Sequence, residues 1–198
     1  MLAISKDDGN TWNVVRTSPL PADSGGDPSV AVDSKDNVYY LFVDGEDRLP
    51  RLVTAGPGGT KWSKAMRVSP NGVQATNLAT IDVGKPGAVA ITYYGTTMED
   101  GADQRWSGYI ASGINVLGKS PTFYTGTVND PKKPLKVGKC QGRCGRVLDF
   151  IDVEISPDGQ PWGAYVDACA AACEKTSKES IADNEGLVGY LHGGPKLV

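Results

Sequence analysis

Short runs of alternating apolar and polar residues, separated by turn-forming residues, fill most of this chain of 198 residues. The alternation is clearest in residues 29–43, 79–94 and 151–167, where two apolar runs flank a turn rich in Asp, Gly, Pro and Ser. A period of two residues predicts a β-strand, and a turn between two such runs predicts a β-hairpin. We find no stretch with a helical period of useful length, so the sequence predicts an all-β fold.

A second repeat lies between these hairpins. Residues 51–62 repeat the shape of residues 1–12, with the two tryptophans 50 residues apart, and more degenerate copies begin at 108 and 186. A period of about 50 residues with four short strands per unit is typical of β-propeller blades. We therefore predict a half blade at 1–17, full blades at 28–69 and 77–128, and an incomplete blade at 149–198. A β-sandwich of short strands is the alternative, which four turn copies in register disfavour.

The octet of residues 5–12 fills all five fixed positions of the pattern S-x-D-x-G-x-T-W, namely Ser5, Asp7, Gly9, Thr11 and Trp12. Gly9 permits a positive φ at the turn, Asp7 can accept backbone N–H bonds across it, and Trp12 can anchor the hairpin. The octet resembles the Asp box, or BNR repeat, of the sialidase-type β-propellers. The resemblance implies a six- or seven-bladed ring, so we expect this chain to need the remainder of the propeller or a partner chain.

The strand order separates two faces of the predicted propeller. The Asp-box turns lie on the face with short turns, whereas the longer connections 95–106, 129–149 and 168–185 lie on the opposite face. Function on a rigid scaffold concentrates in such loops. We therefore expect the Asp box to be structural and the functional site to lie on the face with the long loops.

The candidate functional residues are polar residues at the ends of the inner strands that lie on the face with the long loops. The catalytic candidates are Tyr94, Arg146, Asp149 and Glu154; the ligand-binding candidates are Asp27, Arg105, Arg143 and Asp167; Asp44 and Asp152 lie nearby. The resemblance implies three arginines that grip a substrate carboxylate, a Tyr–Glu nucleophile and an Asp acid/base. Arg105 and Arg146 are candidates for the two arginines that lie later in the sequences of the family. The family's Arg-Ile-Pro motif, which carries the first arginine, is absent, and Arg48-Leu49-Pro50 matches it poorly. Each carboxylate also has a structural interpretation, such as a turn cap for Asp27 or a pair with Arg146 for Asp149.

Charge is unevenly distributed along the chain. The net charge is −3, but residues 132–146 carry six Lys or Arg and no acid, which leaves −9 for the remainder. This segment is either a solvated loop, the interpretation we favour, or a cationic wall for an anionic sugar. We expect no nucleic-acid partner, because the other surfaces are acidic and no nucleic-acid motif is present. The apolar runs are too short to span a membrane.

Four cysteines form two pairs with the same spacing, Cys140 with Cys144 and Cys169 with Cys173. The predicted hairpin that turns near Asp158 brings both pairs to the same end. Two disulfides in an oxidising compartment are the preferred interpretation, and a tetrathiolate zinc site is the alternative. We expect no cofactor, although the acidic run of residues 99–103 has the oxygen ligands that calcium takes.

These patterns lead to two functional hypotheses. The first is a secreted sialidase-like propeller that recognises a carbohydrate or anionic sugar, and for the complete protein this hypothesis leaves open whether it is also an exo-glycosidase. The second is a non-catalytic extracellular binding or assembly module on the same scaffold. A converging set of arginines at the axis favours the first, whereas an axis lined by apolar and small residues favours the second. Both hypotheses place the protein outside the cell, at its surface or in the periplasm.

Overall fold

The computed structural model describes residues 1–23, 26–101, 103–138, 150–169 and 184–198. These residues contain strands and turns but no helix, as the sequence predicts. The strands are β1 (Leu2–Ile4), β2 (Asn13–Val15), β3 (Ser29–Val32), β4 (Val38–Val43), β5 (Pro50–Ala55), β6 (Met66–Arg67), β7 (Ala75–Val83), β8 (Val89–Thr96), β9 (Arg105–Ile114), β10 (Thr122–Thr127), β11 (Lys136–Val137), β12 (Asp152–Ile155), β13 (Pro161–Asp167) and β14 (Glu185–Tyr190).

The described strands form four antiparallel sheets in chain order. They are β1–β2, β3–β6, β7–β10 and β12–β14, and β11 pairs with the beginning of β9. The hairpins β3–β4, β7–β8 and β12–β13 confirm the three hairpins predicted from alternation. Each sheet is a meander, because strands adjacent in sequence pair with one another. The division of these sheets into blades of a closed ring stays a prediction.

The first strands of the three larger sheets lie side by side. The hydroxyls of Ser29 on β3 and Thr80 on β7 are 3.3 Å apart. On the other side of β7, Asp82 accepts the backbone N–H of Ile155 on β12 at 2.9 Å. The sheets therefore meet along the line β3–β7–β12, which becomes the inner edge of the stack.

Apolar side chains fill the spaces between successive sheets. Between β3–β6 and β7–β10 lie Leu41, Leu52 and Ile91, all fully buried, beside Tyr93 and Tyr109, whose rings stack at 5.2 Å. Burying such side chains contributes about 1.5–3 kcal/mol each. The alternation seen in the sequence therefore serves packing between sheets, on both faces of the β7–β10 sheet.

The packing of β7–β10 against β12–β14 depends on aromatic side chains. Trp106, Tyr94 and Tyr165 form the buried cluster there, and the rings of Tyr94 and Tyr165 meet edge to face at 5.6 Å. Gly108 allows this approach, because a Cβ on it would lie 2.9 Å from the ring of Tyr165 and 2.7 Å from Val128.

The turn between β1 and β2 is held by its own side chains. Asp7 accepts the backbone N–H and the hydroxyl of Thr11 at 2.8 and 2.6 Å, and Ser5 accepts the N–H of Gly9 at 2.8 Å. Gly9 has a φ of 87°, and the indole N–H of Trp12 donates to its carbonyl at 3.0 Å. The bonds from Thr11 hold the pKa of Asp7 below its usual value. The acceptor role expected of Asp7 and the positive φ expected of Gly9 are thus confirmed.

The turn between β5 and β6 has a related geometry. The indole N–H of Trp62 donates to the carbonyl of Gly59 at 2.9 Å, and Gly59 has a φ of 62°. A Cβ on Gly59 would lie only 3.0 Å from the side chain of Ile4 on β1. The first hairpin therefore lies against the β5–β6 turn.

Residues 195–198, which we call the tail segment, lie between two turns of neighbouring sheets. Leu197 is fully buried against Ala88, Ala90 and Val153. Its N–H donates to the carbonyl of Gly159 at 3.0 Å, and its carbonyl accepts the N–H of Lys85 at 2.7 Å. The tail segment thus connects the β7–β8 turn with the β12–β13 turn.

The basic segment 132–146 is not wholly a solvated loop, which corrects the interpretation favoured from its composition. Lys132 and Lys133 are exposed, but Lys136 is buried on β11, where it pairs with Trp106. The indole N–H of Trp106 donates to the carbonyl of Gly138 at 2.9 Å. Hydrogen bonding to β9 fixes this part of the segment. Lys139, Arg143 and Arg146 lie outside the described residues.

Of the four cysteines, Cys169 lies among the described residues, and it is not a free thiol. Cys140, Cys144 and Cys173 lie outside them, so the pairing stays a prediction. Within the described ranges no three His, Cys, Asp or Glu side chains form a group able to hold a metal ion; Ala102 in the acidic run 99–103 is not described. The described part of the chain also contains no apolar helix long enough to cross a membrane.

Candidate functional site

The inner strand β7 is interrupted by a β-bulge. Asn77 pairs with Tyr94 and Thr80 pairs with Thr92, so Leu78 and Ala79 share a single residue on β8 as their partner. Leu78 is buried and has a φ of 49°, a left-handed conformation that is rare for a bulky residue and costs about 1–3 kcal/mol. The side chain of Asn77 compensates in part by accepting the N–H of Leu78 at 2.8 Å. Bulges often lie next to binding sites, where they redirect side chains.

A cleft of about 170 Å³ opens beside this bulge. Its walls come from the middle of β7 and from the beginnings of β3 and β12, because these three strands lie side by side there. The lining residues are Asp27, Pro28, Ser29, Leu78, Ala79, Thr80 and Ile151. Asp27 is exposed and supplies the carboxylate, whereas Ser29 and Thr80 supply hydroxyl groups. The cleft therefore combines a negative charge, two hydroxyls and an apolar surface.

Charged side chains of the β4–β5 connection form a rim on this face. Asp44 is buried and accepts from the Arg51 guanidinium at 3.2 Å, and Arg51 also pairs with Asp47. Arg48 lies 4.0 Å from the carboxylate of Asp23. Carboxylates and guanidinium groups are therefore paired within the rim, so Asp44 supports the shape of the connection.

The β4–β5 connection is fixed to the beginning of β7. The carbonyl of Arg48 accepts both the backbone N–H of Thr76, at 2.8 Å, and its hydroxyl, at 2.7 Å. Arg48 has a φ of 57°, which is uncommon for a residue with a side chain. Arg48-Leu49-Pro50, the poor match to the Arg-Ile-Pro motif, thus has a structural role. The carbonyl of Arg48 bonds to β7, and Leu49 is buried in the core.

Tyr94 is fully buried in the structure. Its hydroxyl accepts the N–H of Val166 at 2.8 Å and lies 3.1 Å from the carbonyl of the same residue, to which it donates. Burial raises the pKa of the Tyr94 phenol well above its usual value. A nucleophile needs a lowered pKa and access to substrate. The observed contacts instead make Tyr94 a connection between β8 and β13.

Glu154 does not meet Tyr94. Register places Glu154 opposite Trp162 on the exposed face of the β12–β14 sheet, whereas Tyr94 contacts the face that carries Tyr165. The pairing of Tyr94 with Glu154 implied by the sialidase resemblance is therefore not formed, because the sheet separates the two side chains. Asp152 lies two residues before Glu154 and accepts the N–H of Val153 at 2.9 Å.

The remaining candidates lie apart from the cleft or outside the described residues. Arg105 is exposed at the beginning of β9, opposite Val137. Asp167 ends β13 and accepts the N–H of Cys169 at 2.7 Å; burial, together with the charge of Glu185, raises its pKa. Arg143, Arg146 and Asp149 fall outside the described residues. Asp27 is thus the predicted ligand-binding residue that the structure places in the cleft.

Sequence reasoning did not find the bulge that shapes this site. The predicted hairpin begins at residue 79, whereas β7 runs from Ala75 to Val83, and nothing in the alternation marks Leu78 as left-handed. The residue that could have indicated the bulge is Asn77, because Asn side chains form local hydrogen bonds to the backbone that compete with regular strand pairing.

Comparison with known proteins shows similarity of structure alone. No protein-family model matches the chain. No curated protein matches it either. The structure is similar to part of a mutant NanB sialidase from Streptococcus pneumoniae, with a TM-score of 0.51 and 15% identity; the match covers 82% of this chain and 23% of that chain.

Two further structures are similar over most of this chain. The intramolecular trans-sialidase of Ruminococcus gnavus gives a TM-score of 0.47 at 16% identity, covering 93% of this chain and 37% of that chain. A GH43 β-1,3-galactosidase gives 0.42 at 11% identity, covering 87% and 43%. The chain thus spans less than half the length of each of these proteins. The likeness to the sialidase shows that this chain shares the fold of part of a β-propeller glycosidase, and identity this low says nothing of activity.

Proposed function

We propose that this chain is a glycan-binding part of a sialidase-like β-propeller and that the cleft beside Leu78 is its binding site. The observation that carries the proposal is the strained bulge, which opens a cleft where three sheets meet. Leu78 is a strained residue that lines the cleft, and backbone strain of this kind clusters at functional sites. The fold shared with a sialidase supplies the ligand class, which is a carbohydrate.

The lining of the cleft suits a sugar. Hydroxyl groups of a sugar can donate to the carboxylate of Asp27 and exchange hydrogen bonds with Ser29 and Thr80. The apolar C–H faces of a sugar ring can lie against Leu78 and Ile151. Among the described lining residues there is one carboxylate and no arginine. This composition favours binding without hydrolysis, because a sialidase-type reaction needs arginines for the substrate carboxylate and a second carboxylate for catalysis.

An NMR titration of the whole chain tests the binding site. We expect lactose and 3′-sialyllactose, added to millimolar concentration, to shift the backbone amides of Ser29, Ala79 and Thr80. Asp27→Asn should weaken binding about 10-fold, which corresponds to the loss of a hydrogen bond to a charged group. Asp36→Asn is the matched control, because Asp36 is exposed in the turn at the other end of β3.

The same samples separate binding from catalysis. Shifts confined to other surfaces, or equal affinities of the Asp27→Asn and Asp36→Asn variants, would refute the assignment of the cleft. Incubation with a fluorogenic sialoside should release no fluorophore above the level of the buffer. Measurable turnover would favour the exo-glycosidase hypothesis, in which Arg146 or Asp149 from outside the described residues completes the site.

We also propose an extracellular, cell-surface or periplasmic location with two disulfides between the cysteine pairs. Support comes from the spacing of the pairs and from Cys169, which is not a free thiol. Alkylation without reduction should add no label, and alkylation after reduction should add four. Labelling of four thiols without reduction, together with bound zinc, would instead favour the tetrathiolate site.

A further inference from the structure

Two adjoining clefts lie between the first hairpin and the β5–β6 turn. The first cleft, of about 210 Å³, lies between strands β1 and β2 and the turn. The second, of about 360 Å³, lies between residues 16–19 and residues 60–63, and Thr60 lines both clefts. We call the two clefts together the tryptophan groove, because Trp12 lines the first and Trp62 lines the second.

The tryptophans offer their ring surfaces to a ligand in this groove. Their indole N–H groups already donate to the carbonyls of Gly9 and Gly59 within their own turns. Trp12 is 62% exposed, and the apolar C–H face of a sugar ring can pack on an aromatic surface of this kind. Polar side chains that can exchange hydrogen bonds with sugar hydroxyls also line the groove: Thr11, Asn13, Thr60 and Ser63.

Two cations line the groove, Lys6 in the first cleft and Arg16 in the second. The guanidinium of Arg16 donates to the carbonyls of Ser18 and Pro19, both at 3.2 Å. These bonds orient the guanidinium, and they leave its charge in place because both acceptors are neutral. Among the described residues no carboxylate forms an ion pair with Lys6 or Arg16, in contrast to the arginines of the β4–β5 connection.

The segments that form the groove are basic, although the chain as a whole is acidic. Residues 1–20 and 56–67 together carry five Lys or Arg and two Asp, whereas the whole chain has a net charge of −3. One of the two carboxylates, that of Asp7, already accepts bonds from Thr11 within its turn. A positive region on an acidic protein attracts anions, so the groove favours a negatively charged ligand.

We propose that the tryptophan groove binds an acidic polysaccharide, a sugar chain that carries carboxylate or sulfate groups. A sugar ring stacks on Trp12, and its acidic group accepts bonds from Lys6 or Arg16. The groove is built from other strands than the cleft beside Leu78, and it has the opposite charge, since that cleft contains a carboxylate and no cation. The inference therefore concerns a second site and does not depend on the first.

An NMR titration of the whole chain with a heparin-derived hexasaccharide tests this inference. We expect the indole N–H signals of Trp12 and Trp62 to shift, whereas those of Trp106 and Trp162, which lie in other sheets, stay unchanged. The backbone amides of the cleft beside Leu78 should also stay unchanged. Shifts of those amides in place of the signals of Trp12 and Trp62 would overturn the proposal.

Two matched arginine variants connect the shifts to the groove. Arg16→Gln should raise the dissociation constant of the hexasaccharide about 10-fold, because it removes a charged hydrogen-bond donor. Arg67→Gln is the control, because Arg67 makes the same kind of bonds, to the carbonyls of Ser69 and Pro70 at 3.1 and 2.9 Å, and does not line the groove. Any loss of stability is thus common to both variants, and equal affinities of the two would refute the site.

Two further probes test the class of the ligand. Maltohexaose, a neutral sugar chain of the same length, should bind at least about 10-fold more weakly, because it has no acidic group. Hexaglutamate, an acidic peptide without sugar rings, should leave the indole signal of Trp12 unshifted. Equal binding of maltohexaose, or an equal shift with hexaglutamate, would overturn the acidic polysaccharide as ligand. No shift with the hexasaccharide would overturn the groove as a site and leave the cleft beside Leu78 untouched, since lactose and 3′-sialyllactose test that cleft.

Discussion

Replacement of Leu197 by Ala should destabilise the whole chain, although Leu197 is the second-last residue of the sequence. Segments near the end of a chain usually contribute little unless they are held in place. Here the side chain is fully buried against Ala88, Ala90 and Val153, and the backbone bonds to the turns at Lys85 and Gly159. The Leu197 side chain therefore closes the space between two sheets.

The expected magnitude follows from burial. Leu→Ala substitutions at fully buried positions cost about 2–5 kcal/mol, and the lower half of that range applies where neighbours can collapse into the space. A tail segment can collapse more readily than an internal strand, so we expect about 3 kcal/mol. In a chain of this size that loss lowers the melting temperature by about 6–12 °C.

Urea unfolding monitored by circular dichroism measures the loss. The midpoint should fall for Leu197→Ala, whereas the slope should stay unchanged if the folded state keeps its compactness. Val198→Ala is the matched control, because Val198 is more than half exposed and truncating it should change the stability by about 0.5 kcal/mol or less.

A second variant tests whether Leu197 acts through the tail segment. A Cβ on Gly84 would overlap the carbonyl oxygen of Leu197, so Gly84→Ala should displace the segment. The losses in Gly84→Ala and Leu197→Ala should then not add, because each removes the same contacts; the double variant should fall short of the sum by about 1 kcal/mol or more. The reasoning is wrong if Leu197→Ala is no less stable than Val198→Ala, or if the two losses add.

Three further predictions concern single side chains. Tyr94→Phe should lower stability by about 1–3 kcal/mol in urea unfolding, because the backbone groups of Val166 lose their partner; an unchanged midpoint would exclude this connection. An NMR titration should give the Asp7 carboxyl a pKa below 3.8. The stability that its bonds add to the turn is therefore present at neutral pH and is lost as the pH falls through the lowered pKa. A pKa at the usual value would contradict the bonds from Thr11. The pKa of Asp167 is raised, so the charged form is disfavoured in the folded state; Asp167→Asn should be more stable than wild type at pH 7, and the difference should vanish at acidic pH.

The sequence predicted the strands because their alternation reports packing between sheets. The run 38–43 became β4, and its turn at 33–37 is held by Asp33, which accepts bonds from Asn37 and Tyr39. Burial acts to raise the pKa of Asp33, but these hydrogen bonds outweigh burial and lower it. Turn chemistry of this kind is local, so it can be read from a few adjacent residues.

Contacts between distant segments were not predictable in the same way. The tail segment, the burial of Lys136 on β11 and the position of Glu154 each depend on which sheets are neighbours and on the face to which a strand turns. A shift of one residue would move Glu154 to the opposite face, and charge alone gives no sign of that register. The sequence therefore named Asp27, which lines the cleft, but gave no prediction of the bulge beside it.

Strain connects the fold to the proposed site. A globular domain has a net stability of about 5–15 kcal/mol, so a left-handed leucine that costs about 1–3 kcal/mol is a large fraction of it. An unbulged β7 would pair with β8 without this cost, but the shift of one residue would turn the side chains on one side of Leu78 to the opposite face of the sheet. In contrast, the first turn places Asp7, Ser5 and Thr11 in bonds within the turn itself, which leaves the turn ordered and the strands undistorted. The two features thus differ in their cost: bonds from side chains such as Asp7 and Asp33 stabilise turns, whereas the bulge places a strained Leu78 beside the cleft where β3, β7 and β12 meet.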